Sequence, residues 1–132
     1  MNHPSMHEGG CACGAWRFSV TNEPVRVGMC HCMTCRRVHG SAFGAYAVFA
    51  RGDVRFSGPS QTWRSSDEGR RHFCPNCGSI VYMEYGNADE IDLPLGAFDE
   101  TGIYTPTYEL WCKRREPWLT SGGRKEYIED RP

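Results

Sequence analysis

No apolar run in the 132-residue chain approaches the roughly 20 residues a helix needs to cross a bilayer. The first ten residues, MNHPSMHEGG, hold no basic stretch followed by an apolar one, so they do not read as a secretory signal. The expectation is a cytoplasmic chain that engages no membrane. Excess charge is missing too: 15 Lys and Arg stand against 16 Asp and Glu, a formal net charge of −1. A dedicated nucleic-acid binder carries a basic surplus, so no nucleic-acid partner is expected. No segment keeps a helical period long enough for a bundle, and repeats, low-complexity tracts and linkers are absent. What remains is one domain over residues 1–132, with its core at about 9–118 and loosely held ends at Met1 to Glu8 and Gly122 to Pro132.

Cysteine, in contrast, is abundant, with eight in total. In a chain without an export signal, a disulfide framework is the weaker explanation. Seven of the eight fall in tight groups: Cys11 with Cys13, then Cys30, Cys32 and Cys35, then Cys74 with Cys77. Thiols one or two residues apart rarely bridge each other, but that spacing lets both reach one ion. Metal is the reading that fits.

Strand signals dominate the rest. Trp16, Phe18 and Val20 alternate with small or polar residues, as do Val25, Val27 and Met29. FGAYAVFA is an apolar run of strand length, and DVRF, SIVYMEY, DEIDLPL and PTYELW follow. Fifteen glycines and eight prolines punctuate these segments at turn-like spacing. The one helix the pattern supports is short, TCRRVHG, closed by Gly40. Such a β-rich fold buries little per strand, and zinc would supply part of its stability.

The seven cysteines divide between two metals. CPNCG is a zinc knuckle by composition: Pro75 stiffens the turn, and Gly78 lets the backbone bring amides toward the sulfurs. A knuckle supplies two ligands, and Cys11 and Cys13, flanked by glycines, are the natural other two. Four thiolates close a tetrahedron, as structural zinc requires. Cys30, Cys32 and Cys35 then hold a second zinc with one position open, the arrangement of a catalytic and more labile ion. Residues from within the chain could also close that site: His39, four after Cys35 on the short helix, His72 beside the knuckle, or Cys112. His31 is a poor candidate, because an extended segment points it away from the side shared by Cys30 and Cys32. An ion held by three soft thiolates is a weak activator of water and well suited to a fourth, incoming thiol. Of the basic pairs, Arg36-Arg37 lies directly after Cys35 and is the candidate for holding a small anion.

GGCACGAWRFSV, CHCMTCRRVHGSAFGAYAVF and RHFCPNCGSIVY resemble the glutathione-dependent formaldehyde-activating enzyme and centromere protein V family. The likeness runs from about Gly9 to Trp118, with YELWCKRREPW similar to the family's closing strand. It implies a mainly β, Mss-four-like fold of several short, coiled antiparallel sheets with few helices. It also implies Cys11, Cys13, Cys74 and Cys77 as structural ligands and Cys30, Cys32 and Cys35 as catalytic ones. The implied activity is that of a carbon–sulfur lyase joining glutathione to formaldehyde; by their place just after Cys35, Arg36, Arg37 and His39 are expected on the substrate side. The same architecture would also serve another thiol or carbonyl, or a zinc-stabilised binding module without turnover.

Overall fold

The computed structural model describes residues 6–132; Met1 to Ser5, part of the N-terminal stretch expected to be loose, lie outside the described residues. The strands are β1 (His7–Gly10), β2 (Arg17–Val20), β3 (Arg26–Cys30), β4 (Gly44–Ala50), β5 (Val54–Ser57), β6 (Gln61–Arg64), β7 (Gly69–Phe73), β8 (Ile80–Tyr85), β9 (Glu90–Pro94), β10 (Tyr108–Leu110) and β11 (Lys125–Glu126). The α-helix, α1 (Met33–His39), follows β3 after a single turn. The mainly β expectation holds. Antiparallel pairing prevails, but β10 runs parallel to both β3 and β11.

The strands form two sheets. One has the order β1-β2-β5, and the other has eight strands in the order β11-β10-β3-β4-β9-β8-β7-β6. Because side chains alternate along a strand, each sheet sorts its residues between two faces. On one face of the large sheet, Val27, Ala47 and Leu93 lie in one cross-strand row and Phe49 pairs with Ile91. These five pack with Trp16, Phe18 and Val20 of the small-sheet side into the main core. Trp16 is wholly buried, against Phe18, Phe56 and Tyr82. Side chains of this size each contribute roughly 1.5–3 kcal/mol by leaving water.

The opposite face carries different chemistry. Arg26, Val48, Asp92, Met83 and Arg71 occupy one row across β3, β4, β9, β8 and β7. Along β3 the same face holds Arg26, Gly28 and Cys30. α1 lies against this side of β4, where Gly44 has no side chain; a Cβ there would stand 2.7 Å from the His39 ring.

The C-terminal segment is tied down, contrary to the loose end expected from its polar composition. Trp111 and Cys112 donate their backbone amides to the carbonyls of Glu129 and Tyr127, and Tyr127 returns one to Glu109. The anchor beneath is Glu109, wholly buried on β10. Its carboxylate meets His31 at 2.7 Å, Arg124 at 3.1 Å and Arg115 at 3.3 Å. Burial alone would raise the Glu109 pKa, but His31 and the two arginines outweigh it and hold the group below its usual range. Its stabilising contribution is therefore present at neutral pH and lost as pH falls below about 4. Glu109→Ala leaves Arg115, Arg124 and the buried His31 ring without their shared carboxylate and is expected to cost about 3–5 kcal/mol. Urea unfolding at pH 7 measures this; a loss within 0.5 kcal/mol, the range of an ordinary surface change, would show that the network is not an anchor.

Candidate metal centres and substrate cleft

The first cluster joins two turns. Cys11 follows β1, Cys13 lies two residues on, and Cys74 and Cys77 bracket the turn between β7 and β8. All four sulfurs lie within 4.8 Å of one another, with Cys13 Sγ 3.6 Å from Cys11 Sγ and 3.8 Å from Cys74 Sγ. Gly78, at φ +77°, makes the knuckle turn that a side chain would strain. Trp16 donates its amide to Cys11 Sγ at 3.2 Å. The Ser79 hydroxyl lies 3.2 Å from Cys77 Sγ, and with the Ser79 amide it brings that thiol down to about 5. Four soft donors, partly ionised before any cation arrives, fit zinc in a closed structural site.

The second cluster sits where β3 passes into α1. Cys30 ends the strand, Cys32 caps the helix, and Cys35 lies one turn in, so extended and helical backbone together aim three sulfurs at one point. These sulfurs also lie within 4.8 Å of one another. The Cys32 sulfur accepts the Cys35 amide at 3.2 Å. Hydrogen bonds from Cys30 and Cys35 pull Cys32 far below the usual thiol range against the opposing effect of burial, while Cys30 is pushed up. Among the described residues no histidine, carboxylate or fourth cysteine joins this trio as a ligand. Three thiols fit a zinc that keeps a position open.

The candidates for closing the site lie elsewhere. His31 points away and bonds Glu109. His39 lines a separate cleft of about 490 Å³ with Cys11, Gly78 and Ser79. His72 is held between Thr62 and Glu84 at 2.8 and 2.6 Å. Cys112 donates to the Glu109 carbonyl at 3.6 Å.

The three-cysteine cluster opens into a cleft of about 630 Å³, lined by Arg26, Tyr46, Arg71, Tyr85, Tyr108 and Arg114 among others. Arg71 Nη2 stands 3.7 Å from Cys35 Sγ and has no carboxylate partner among the described residues. Neither has Arg114. The expected substrate-side residues are placed differently. Arg36 is engaged by Glu116 at 2.6 Å and by the Ala42 carbonyl at 3.2 Å, so it fastens α1 to the C-terminal segment. Arg37 is exposed and does not line the cleft, and His39 faces the other one. Nearness in sequence favoured Arg36 and Arg37; strand pairing brings Arg71 instead, across four neighbours from β3. The strand parity of Cys30 and Gly28 was the readable signal for the face, but the partner strands were not.

A family model for glutathione-dependent formaldehyde-activating enzymes matches residues 6–114. The chain belongs to that family. An uncharacterized lyase of Schizosaccharomyces pombe is 33% identical over 81 residues, 61% of this chain. That alignment spans 59% of the yeast relative's own length. A Halomonas elongata protein, provisionally named a glutathione-dependent formaldehyde-activating enzyme, is 26% identical over 90% of this chain and 83% of its own. A crystal structure of a Rhodobacter sphaeroides protein shares the fold with a TM-score of 0.58, covering 74% of this chain and 90% of that one at 22% identity. No described helix is long and apolar enough to cross a membrane.

The two clusters predict opposite consequences of losing one sulfur. Cys77→Ser opens the closed site and is expected to leave little soluble, cooperatively folding protein. Cys32→Ser is expected to fold with a melting temperature within a few degrees of the parent and to lose one of two zinc ions. Zinc per chain and thermal melts read both. Equal unfolding of the two variants would abolish the distinction between the clusters.

Proposed function

We propose that the protein is a zinc-dependent carbon–sulfur lyase that joins the thiol of glutathione to formaldehyde or a related small aldehyde, giving an S-hydroxymethyl thioether. In this reading Cys11, Cys13, Cys74 and Cys77 hold a structural zinc, and Cys30, Cys32 and Cys35 hold the catalytic one. The observation that carries the reading is the cleft itself: three convergent thiols at its base and unpaired arginines on its wall. When bound at the trio, zinc keeps an incoming thiol deprotonated, and so nucleophilic, at neutral pH.

The chain's own residues supply the rest. Glutathione carries two carboxylates, and Arg71 and Arg114 offer guanidinium groups that form no salt bridge among the described residues. A planar guanidinium can grip a carboxylate through two parallel hydrogen bonds. Arg71 also places positive charge against the cysteine trio, which favours a thiolate there. The family match and the names of the yeast and Halomonas relatives agree with this chemistry. A binding module without turnover would have no evident use for an open cleft over an incomplete ligand set.

Calorimetry on zinc-loaded protein separates sulfur from carboxylate recognition. Glutathione is expected to bind, and S-methylglutathione, which cannot supply a thiolate, at least 10-fold more weakly. Arg71→Met is expected to weaken glutathione by roughly 10-fold, the worth of one charge-assisted hydrogen bond of about 1.5 kcal/mol. Equal binding of the two thiol derivatives, or none of either, would remove glutathione as the substrate.

A further inference from the structure

We propose that Tyr46 and Tyr108 are catalytic residues whose paired hydroxyls donate a hydrogen bond to the aldehyde oxygen as the carbon–sulfur bond forms. This rests on the reading of the cleft as a site for thiol addition to an aldehyde.

The pair is built by β3 and its two neighbours. Tyr46 of β4 and Tyr108 of β10 both lie opposite Gly28, one on each side. With no side chain between them, the rings lean together over Gly28 in an edge-to-face arrangement, centroids 6.4 Å apart and planes at 74°. A Cβ at Gly28 would stand 2.8 Å from the Tyr108 hydroxyl. Tyr127 from the C-terminal segment meets the Tyr108 ring edge-on and helps fix it.

The hydrogen-bond inventory leaves a donor free. The two hydroxyls lie 3.2 Å apart, and neither has another hydrogen-bond partner among the described residues. Two phenol hydroxyls offer two O–H donors, and their mutual bond uses one. The second O–H is left for the cleft that both tyrosines line with Cys30, Cys32 and Cys35. Cys30 is the next residue on the same face of β3, a step of about 7 Å along the strand. A thiol seated at the cysteines would hold its new oxygen two bonds from the sulfur, within the cleft that the tyrosines line.

The step balances without an added oxidant or reductant. The thiol gives its proton to solvent on binding. Its sulfur lone pair attacks the aldehyde carbon, the C–S bond forms, and the carbonyl π pair moves to oxygen. That oxygen, held by the tyrosine O–H, takes its proton from water. The reverse sequence cleaves the product. Donors aimed at a developing oxyanion are among the larger contributors to enzymatic rate.

Tyr46→Phe, Tyr108→Phe and the double variant keep the rings and remove the hydroxyls. Exchange NMR measures the rate at which glutathione and its formaldehyde adduct interconvert on each zinc-loaded protein. Calorimetry gives the glutathione Kd, and metal analysis gives zinc per chain. The double variant is expected to lose about 10²-fold in catalysed exchange, with Kd within twofold and zinc unchanged; each single variant falls between it and the parent. Unchanged exchange in the double variant overturns the proposal. So does a loss of exchange matched by an equal loss of glutathione affinity, which would make the pair a binding or structural element. A parent protein that binds no glutathione, or binds it without catalysing exchange, fails the underlying reading and is distinguished by needing no variant.

Discussion

Thiols held within 4.8 Å of one another are tolerable while protonated and mutually repulsive once ionised, and a divalent cation turns that repulsion into cohesion. This constraint appears twice in the chain, and the rest of the structure is arranged around both instances. At the knuckle, four sulfurs join the turn after β1 to the turn between β7 and β8, tying the small sheet to the large one. At the end of β3, three sulfurs converge with nothing from the chain to complete the set. On the proposed reading, that difference of one ligand separates a staple from a site. Within the trio, Cys30 and Cys35 are buried and Cys32 half-buried, and all three line the cleft.

The eight-stranded sheet makes this division possible by giving its two faces separate tasks. One face is apolar and packs on Trp16 and Phe18. The other presents Arg26, Gly28 and Cys30 along β3 and collects Tyr46, Tyr108 and Arg71 from neighbouring strands. The Glu109 network lies behind the second cluster and bonds His31, the residue between Cys30 and Cys32. A buried, fully paired carboxylate there holds the metal loop and the C-terminal segment together. His31, which the extended segment was expected to turn away from the sulfurs, is thus a structural prop.

Much of this was legible in the sequence. Alternation in WRFSV and VRVGMC placed β2 and β3, and Gly40 closed α1 in the left-handed conformation its position implied. Cysteine spacing gave both clusters their membership. The hairpin of β6 and β7 was not foreseen, because QTWR is wholly exposed and GRRHF is mostly polar, so neither carries a hydrophobic period. β1 was hidden for a related reason: HEGG has strand geometry without strand composition. The cleft wall was missed because it is assembled by long-range pairing. Arg71 stands 36 residues from Cys35 in the chain and within 3.7 Å in space, and no local pattern encodes that.

The central claim is that one metal site is complete and the other is one sulfur short until a thiol arrives. X-ray absorption at the zinc edge, on protein loaded with two zinc ions, tests it most directly. The account predicts an average sulfur coordination between three and four with a minor oxygen contribution, rising to four and losing the oxygen when glutathione is added. Four sulfurs before any thiol is added would contradict it, as would a spectrum that glutathione leaves unchanged.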